Sequence, residues 1–167
     1  MGILSFIKDA GEKLFGVKKA QAAQPATTPT APDPQAANRE AAQSILDYID
    51  KMGLKADNLK IVVDMGKGEV TVSGEAPDQA TREKIVLCCG NSQGIEKVID
   101  NMTVKKQEPE AQWHTVVKGD SLWKIAEKYY GSGKGNEYNR IFEANKPMLS
   151  DPDKIYPGQV LRIPPLN

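Results

Sequence analysis

Between residues 20 and 37 the chain is built almost entirely of alanine, threonine, glutamine and proline, with Pro25, Pro29, Pro32 and Pro34 spaced through it. Proline fixes φ and removes an amide donor, and the small polar residues around it offer nothing to collapse upon. Such a stretch blocks helix and sheet alike and reads as an extended tether. It divides the 167 residues into a short leading segment and a remainder long enough for two small domains. The expected layout is an amphipathic helix in residues 1–17, a linker in 18–38, and folded units at 39–105 and 112–164 joined by a charged linker at 106–111.

In the leading segment Ile3, Ile7, Ala10 and Leu14 recur at spacings of four, three and four, which makes one apolar helical stripe. A helix this short is marginal in water, so it is expected to lie on another surface, in first place on a domain of the same chain. Lys8, Asp9, Glu12 and Lys13 mix their charges, unlike the basic face of membrane-surface helices. Ser5 and the acidic residues interrupt any signal-peptide core, and Phe6 stands where a myristoylation signal needs Ser or Thr. With no apolar run of membrane-spanning length, a cytoplasmic location and no membrane insertion are expected.

Composition narrows the function. Lysine plus arginine equals aspartate plus glutamate at 22 each, so no overall field recruits nucleic acid. A single histidine, His114, and one adjacent cysteine pair, Cys88 and Cys89, rule out the usual Cys/His zinc constellations. Adjacent helical cysteines point about 100° apart and cannot bridge without distortion, so these two read as small core side chains in a reducing compartment. His114 has no serine or cysteine nucleophile motif to serve, no carboxylate pair stands out, and Asp151-Pro152-Asp153 suits a turn better than a calcium loop. No enzyme is expected.

Residues 39–52 carry Ala41, Ile45, Tyr48, Ile49 and Met52 on one helical face, closed by Gly53. Residues 59–64 and 69–74 read as a hairpin about Gly66-Lys67-Gly68. Pro77 fits the first turn of a second helix over 78–89, and a third strand follows over 95–104. Between that helix and strand lies Gly90-Asn91-Ser92-Gln93-Gly94-Ile95. Gly90 falls where a left-handed helix cap is expected, and Gly94 permits a sharp turn. Two readings stay open: an ordinary connection, the common use of a loop this length, or inward carbonyls at a negative helix end that suit a weakly hydrated monovalent cation.

The strand Val70-Thr71-Val72-Ser73-Gly74, the helix after it and Gly94-Ile95-Glu96-Lys97-Val98 resemble a BON domain, a small αββαβ fold. Residues 112–164 read as strand, helix, helix, strand, with Asp120 placed to cap the first helix. Their Gly119-Asp120-Ser121-Leu122 turn, Glu143-Ala144-Asn145 and the closing 157–164 resemble a LysM domain, βααβ. The fold class expected is therefore α+β: BON then LysM, with an N-terminal amphipathic helix on a Pro/Ala-rich tether.

The opening residues 1–15 and the runs 141–149 and 151–164, in that domain order, are similar to a family of cytoplasmic bacterial potassium-binding proteins. That resemblance implies selective K⁺ binding as a sensor or buffer, compaction on binding, a role in osmotic or potassium stress, and a monomer. It further implies K⁺ ligation by main-chain carbonyls of Ile7, Ala10, Gly90, Ser92 and Ile95. The LysM resemblance alone implies a different function, binding of peptidoglycan or other N-acetylglucosamine glycans at Gly119, Asp120, Ser121, Trp123, Asn145 and Ile155. Trp123 is the candidate for stacking on a sugar, although packing on its own helix accounts for it as well.

Overall fold

The computed structural model describes residues 2–7 and 33–166. The chain runs β1 (Gly2–Ser5), α1 (Pro34–Lys51), β2 (Asp57–Asp64), β3 (Glu69–Asp78), α2 (Gln79–Gly90) and β4 (Lys97–Lys106) through its first unit. The second unit is β5 (Gln112–Thr115), α3 (Leu122–Tyr130), a 3₁₀ turn at Gly135–Glu137, α4 (Tyr138–Ala144) and β6 (Val160–Ile163).

The first sheet has the order β1-β4-β3-β2. β2 and β3 form the expected antiparallel hairpin, whereas β3 and β4 are parallel. Parallel neighbours need a crossover, and α2 supplies it. Ile61 and Val63, Val70 and Val72, Val98 and Met102 alternate onto one face and share a core with Ile45 and Ile49 of α1 and Ile85, Val86 and Cys89 of α2.

Residues 2–5 are a strand, not the start of a helix. β4 leaves an edge beyond β3, and a strand docked there gains ladder hydrogen bonds and tertiary contacts that a short free helix lacks. Period two accordingly displaces period four. Leu4 and Phe6 turn toward the core, while Ile3 and Ile7, the first residues of the expected stripe, are 62% and 49% exposed. Ala10, Leu14 and the remainder of the expected helix lie outside the described residues.

α1 begins at Pro34, inside the segment read as linker, because a proline at the first helical position loses no bond and Asp33 caps the helix by accepting from Gln35 N at 3.0 Å. Pro77 is the penultimate residue of β3 and does not open α2. Asp78 caps α2, its carboxylate accepting from Thr81 N at 2.7 Å.

The second unit packs Leu122, Ile125 and Ala126 of α3 and Ile141 of α4 against Leu161 and Ile163 of β6. The β6 strand also joins the units. Val160 enters the first core, and the Arg162 guanidinium meets the Glu83 carboxylate of α2 at 2.6 Å, with both side chains at least nine-tenths buried. Gln79 Nε2 and the Ala111 amide complete the Glu83 carboxylate at 2.8 and 2.9 Å. A buried ion pair persists only when its remaining lone pairs are met in this way.

Candidate functional site

The loop after α2 forms by local hydrogen bonding. Asn91 N donates to Leu87 O at 2.9 Å, the Ser92 hydroxyl to Cys88 O at 2.7 Å, and Ile95 N to Ser92 O at 3.2 Å. Gly94 makes the turn with φ of 94°. Gly90 is the last residue of α2, not a left-handed cap; Asn91 takes the cap with φ of −81°. The reason for a glycine at position 90 is space. The Phe6 ring lies against its α-carbon, and a β-carbon there would fall on the ring. Phe6 N donates to Glu96 O at 2.7 Å, so β1 ends against this loop with Ile7 next in the chain.

Of the expected ion-site residues, Gly90 ends α2, Ser92 and Ile95 lie in the loop that follows it, and Ile7 adjoins the Phe6 anchor; Ala10 lies outside the described residues. Ser92 and Ile95 are fully buried. Among the described residues no group of three or more His, Cys, Asp or Glu could hold a metal. Residues 90–95 carry no Asp or Glu, so the loop offers neutral oxygens, its main-chain carbonyls and the side chains of Asn91, Ser92 and Gln93. Such oxygens suit a weakly hydrated monovalent cation, whereas Ca²⁺ and Mg²⁺ usually recruit carboxylates. Burial pushes the Cys88 thiol up to about 12, and the Cys89 thiol is also well raised by burial, with Cys88 and Asp100 beside it. Both stay protonated and serve as packing.

The Asn91 side chain leaves the loop altogether. Its Nδ2 donates to Val160 O and its Oδ1 accepts from Val160 N, each at 2.9 Å. This bond spans 69 positions, and nothing in the local Gly-Asn-Ser pattern signals it.

On the second unit, Trp123 is half-exposed and covers Gly135, with Tyr138 6.2 Å away between ring centres. A groove of about 370 Å³ lies there, lined by Ser121, Leu122, Trp123, Tyr138, Pro152 and Asp153. Only Ser121 and Trp123 of the expected glycan set line it. Ser121 is also the cap of α3, accepting from Lys124 N, in place of the expected Asp120. Asp120 accepts instead from Val117 N at 3.0 Å and meets His114 Nε2 at 2.8 Å, a local turn that outcompetes capping. Gly119 O accepts from Lys124 Nζ, and Ile155 packs on the second core. Asn145 is buried, its carboxamide spent on Ile141 O and on both backbone groups of Arg162. His114 is also buried, between Asp120 and the Tyr129 hydroxyl, and holds the strand to the helix.

A family model for the BON domain matches residues 37–106 and one for the LysM domain matches 114–164. Over 164 residues, 98% of this chain and 99% of the relative, the chain is 39% identical to the potassium binding protein Kbp of Escherichia coli O6:H1 (strain CFT073). The chain belongs to the Kbp family. Other likenesses are partial. An uncharacterized protein of Deinococcus radiodurans is 55% identical over 51 residues, 30% of this chain and 19% of that one. SpoIVD-associated factor A of Bacillus subtilis is 47% identical over 51 residues, 30% of this chain and 12% of its own. Kbp is matched end to end, so both domains and the segment before them fall within one shared architecture. Among the described residues no helix is long and apolar enough to cross a membrane.

Proposed function

We propose that this protein binds K⁺ reversibly through main-chain carbonyls of Ile7, Ala10, Gly90, Ser92 and Ile95, and acts as a cytoplasmic sensor or buffer of the ion. It is a binding protein and not an enzyme. The observation that carries this reading is the seating of Phe6 on Gly90, which brings the chain at Ile7 beside a loop with neutral oxygens and no carboxylate. The full-length likeness to a protein named for potassium binding supports it. A cage drawn from two distant segments gains order only when both are present, so binding compacts the chain by linkage.

Thermal melts and calorimetry in K⁺ against Na⁺ test the reading. At a hundredfold excess over Kd, K⁺ should stabilise the fold by about 2.7 kcal/mol. That is roughly 5–10 °C for a chain of this size. Na⁺ at equal ionic strength should leave Tm unchanged, and equal responses to both ions would end the proposal.

One observation favours a second reading. The half-exposed Trp123, with Tyr138 beside it, offers a face on which a sugar of an N-acetylglucosamine glycan could stack. Retention on purified peptidoglycan, weakened by Trp123→Ala, would establish it. Asn145 is buried, with its carboxamide bonded to Ile141 and Arg162, so Trp123 is the residue on which this test turns.

A further inference from the structure

The outer edge of β6 is closed in an unusual way. In an antiparallel pair the N–H and C=O of one residue point to the same side, so alternate residues of an edge strand expose both groups. Arg162 turns both toward Asn145, which donates to its carbonyl and accepts from its amide at 2.9 Å each. Val160, two residues earlier, makes the same pair of bonds with Asn91, again at 2.9 Å. Two carboxamides therefore stand where a third strand would lie. Asn145 comes from the strand's own domain and Asn91 from the other.

Asn91 has little freedom to make this contact from elsewhere. Its own amide is tied to Leu87 O, and its carboxamide uses acceptor and donor on one residue. Its chain neighbours are Gly90 and Ser92, two of the proposed carbonyl donors. We infer that Asn91 is the positioning residue that couples the cation loop to the second domain, so that K⁺ occupancy and the seating of β6 are linked. Coupling of this kind is reciprocal: whatever factor the ion gains from a seated strand, the strand gains from the ion. The inference rests on the ion-site reading above and extends it by giving the second domain a means of registering the ion.

The test is amide hydrogen exchange on the full chain in K⁺ and in Na⁺, together with K⁺ affinity by calorimetry well below each variant's Tm. In the wild type, K⁺ and not Na⁺ should slow exchange at Val160 and its β6 neighbours. Asn91→Ala should remove that K⁺-dependent slowing and weaken K⁺ binding on the order of tenfold. Asn91→Asp keeps the size of the side chain but loses the donor to Val160 O, and should behave alike. Tyr130→Phe, which deletes a bond to Pro164 O within the second domain, should lower Tm while leaving K⁺ affinity within about twofold. An Asn91→Ala protein that binds K⁺ as the wild type does and still slows β6 exchange overturns the coupling while leaving the ion site standing. A wild type that responds to K⁺ and Na⁺ alike overturns both.

Discussion

Gly90 shows how one absent side chain can hold a site together. A methyl group there has no room while the Phe6 ring is in place, and overpacking of a closed core costs about 1–3 kcal/mol. Gly90→Ala should therefore lower Tm and expel the ring, and with it the K⁺-dependent stabilisation. Phe6→Ala approaches the same state from the other partner, at a cost of about 3 kcal/mol for a buried phenylalanine. Melts of both variants in K⁺ and Na⁺ check this. A Gly90→Ala protein that retains the wild-type Tm and the K⁺ shift would mean that the ring does not anchor the segment. The glycine was legible as special from sequence, but for the wrong reason. Local reasoning reads glycine as a conformational signal, and an aromatic ring from 84 positions away leaves no trace beside it.

The elements follow from caps and edges. Asp78 ends β3 and caps α2; its carboxyl is held below the ordinary 3.8, first by the Thr81 amide and against the upward push of burial. At Asp120 burial pushes upward, but the Val117 amide, the bond to His114 and nearby Lys128 outweigh it and the net shift is also down. A carboxylate with a depressed folded pKa contributes stability that is complete above its unfolded value and is lost as pH falls through the folded one. Urea midpoints should be insensitive to these two groups above about pH 4, decline below it, and decline less steeply in Asp78→Asn. Asp78→Ala should itself cost about 1 kcal/mol at neutral pH, the usual worth of a helix cap. A midpoint in Asp78→Asn that falls as steeply as in the wild type would separate this cap from acid sensitivity.

At the scale of the molecule, Glu83 and Arg162 fasten one domain to the other through a buried ion pair. Removing one partner of a buried pair strands the other charge, at a cost of about 3–5 kcal/mol. Arg162→Met should accordingly destabilise far more than the surface change Arg140→Met, whose pair with Glu137 is half-exposed and worth at most about 1 kcal/mol. Equilibrium unfolding in urea measures both. If the pair holds the domains together, Arg162→Met should also split the single transition into two. A single wild-type-like transition would place the junction elsewhere, in the apolar contacts of Val160.

Patterning and turn chemistry determined much of this protein without tertiary information: the hairpin about residues 66–68, the helix face carrying Ile45 and Ile49, and the buried cysteines. These are local properties, because a helix or hairpin records its period and its caps within a few residues of itself. What only the folded chain decided is non-local. Ile3 opens a helical spacing yet joins a strand, because the open edge of β4 outweighs a helix too short to stand alone. Asn91 looks like a loop residue and closes the edge of β6, and Glu83 and Arg162, 79 positions apart, meet between two cores. Each of those outcomes depends on a partner brought near by folding, and contact energy between distant residues is written in no single segment of either.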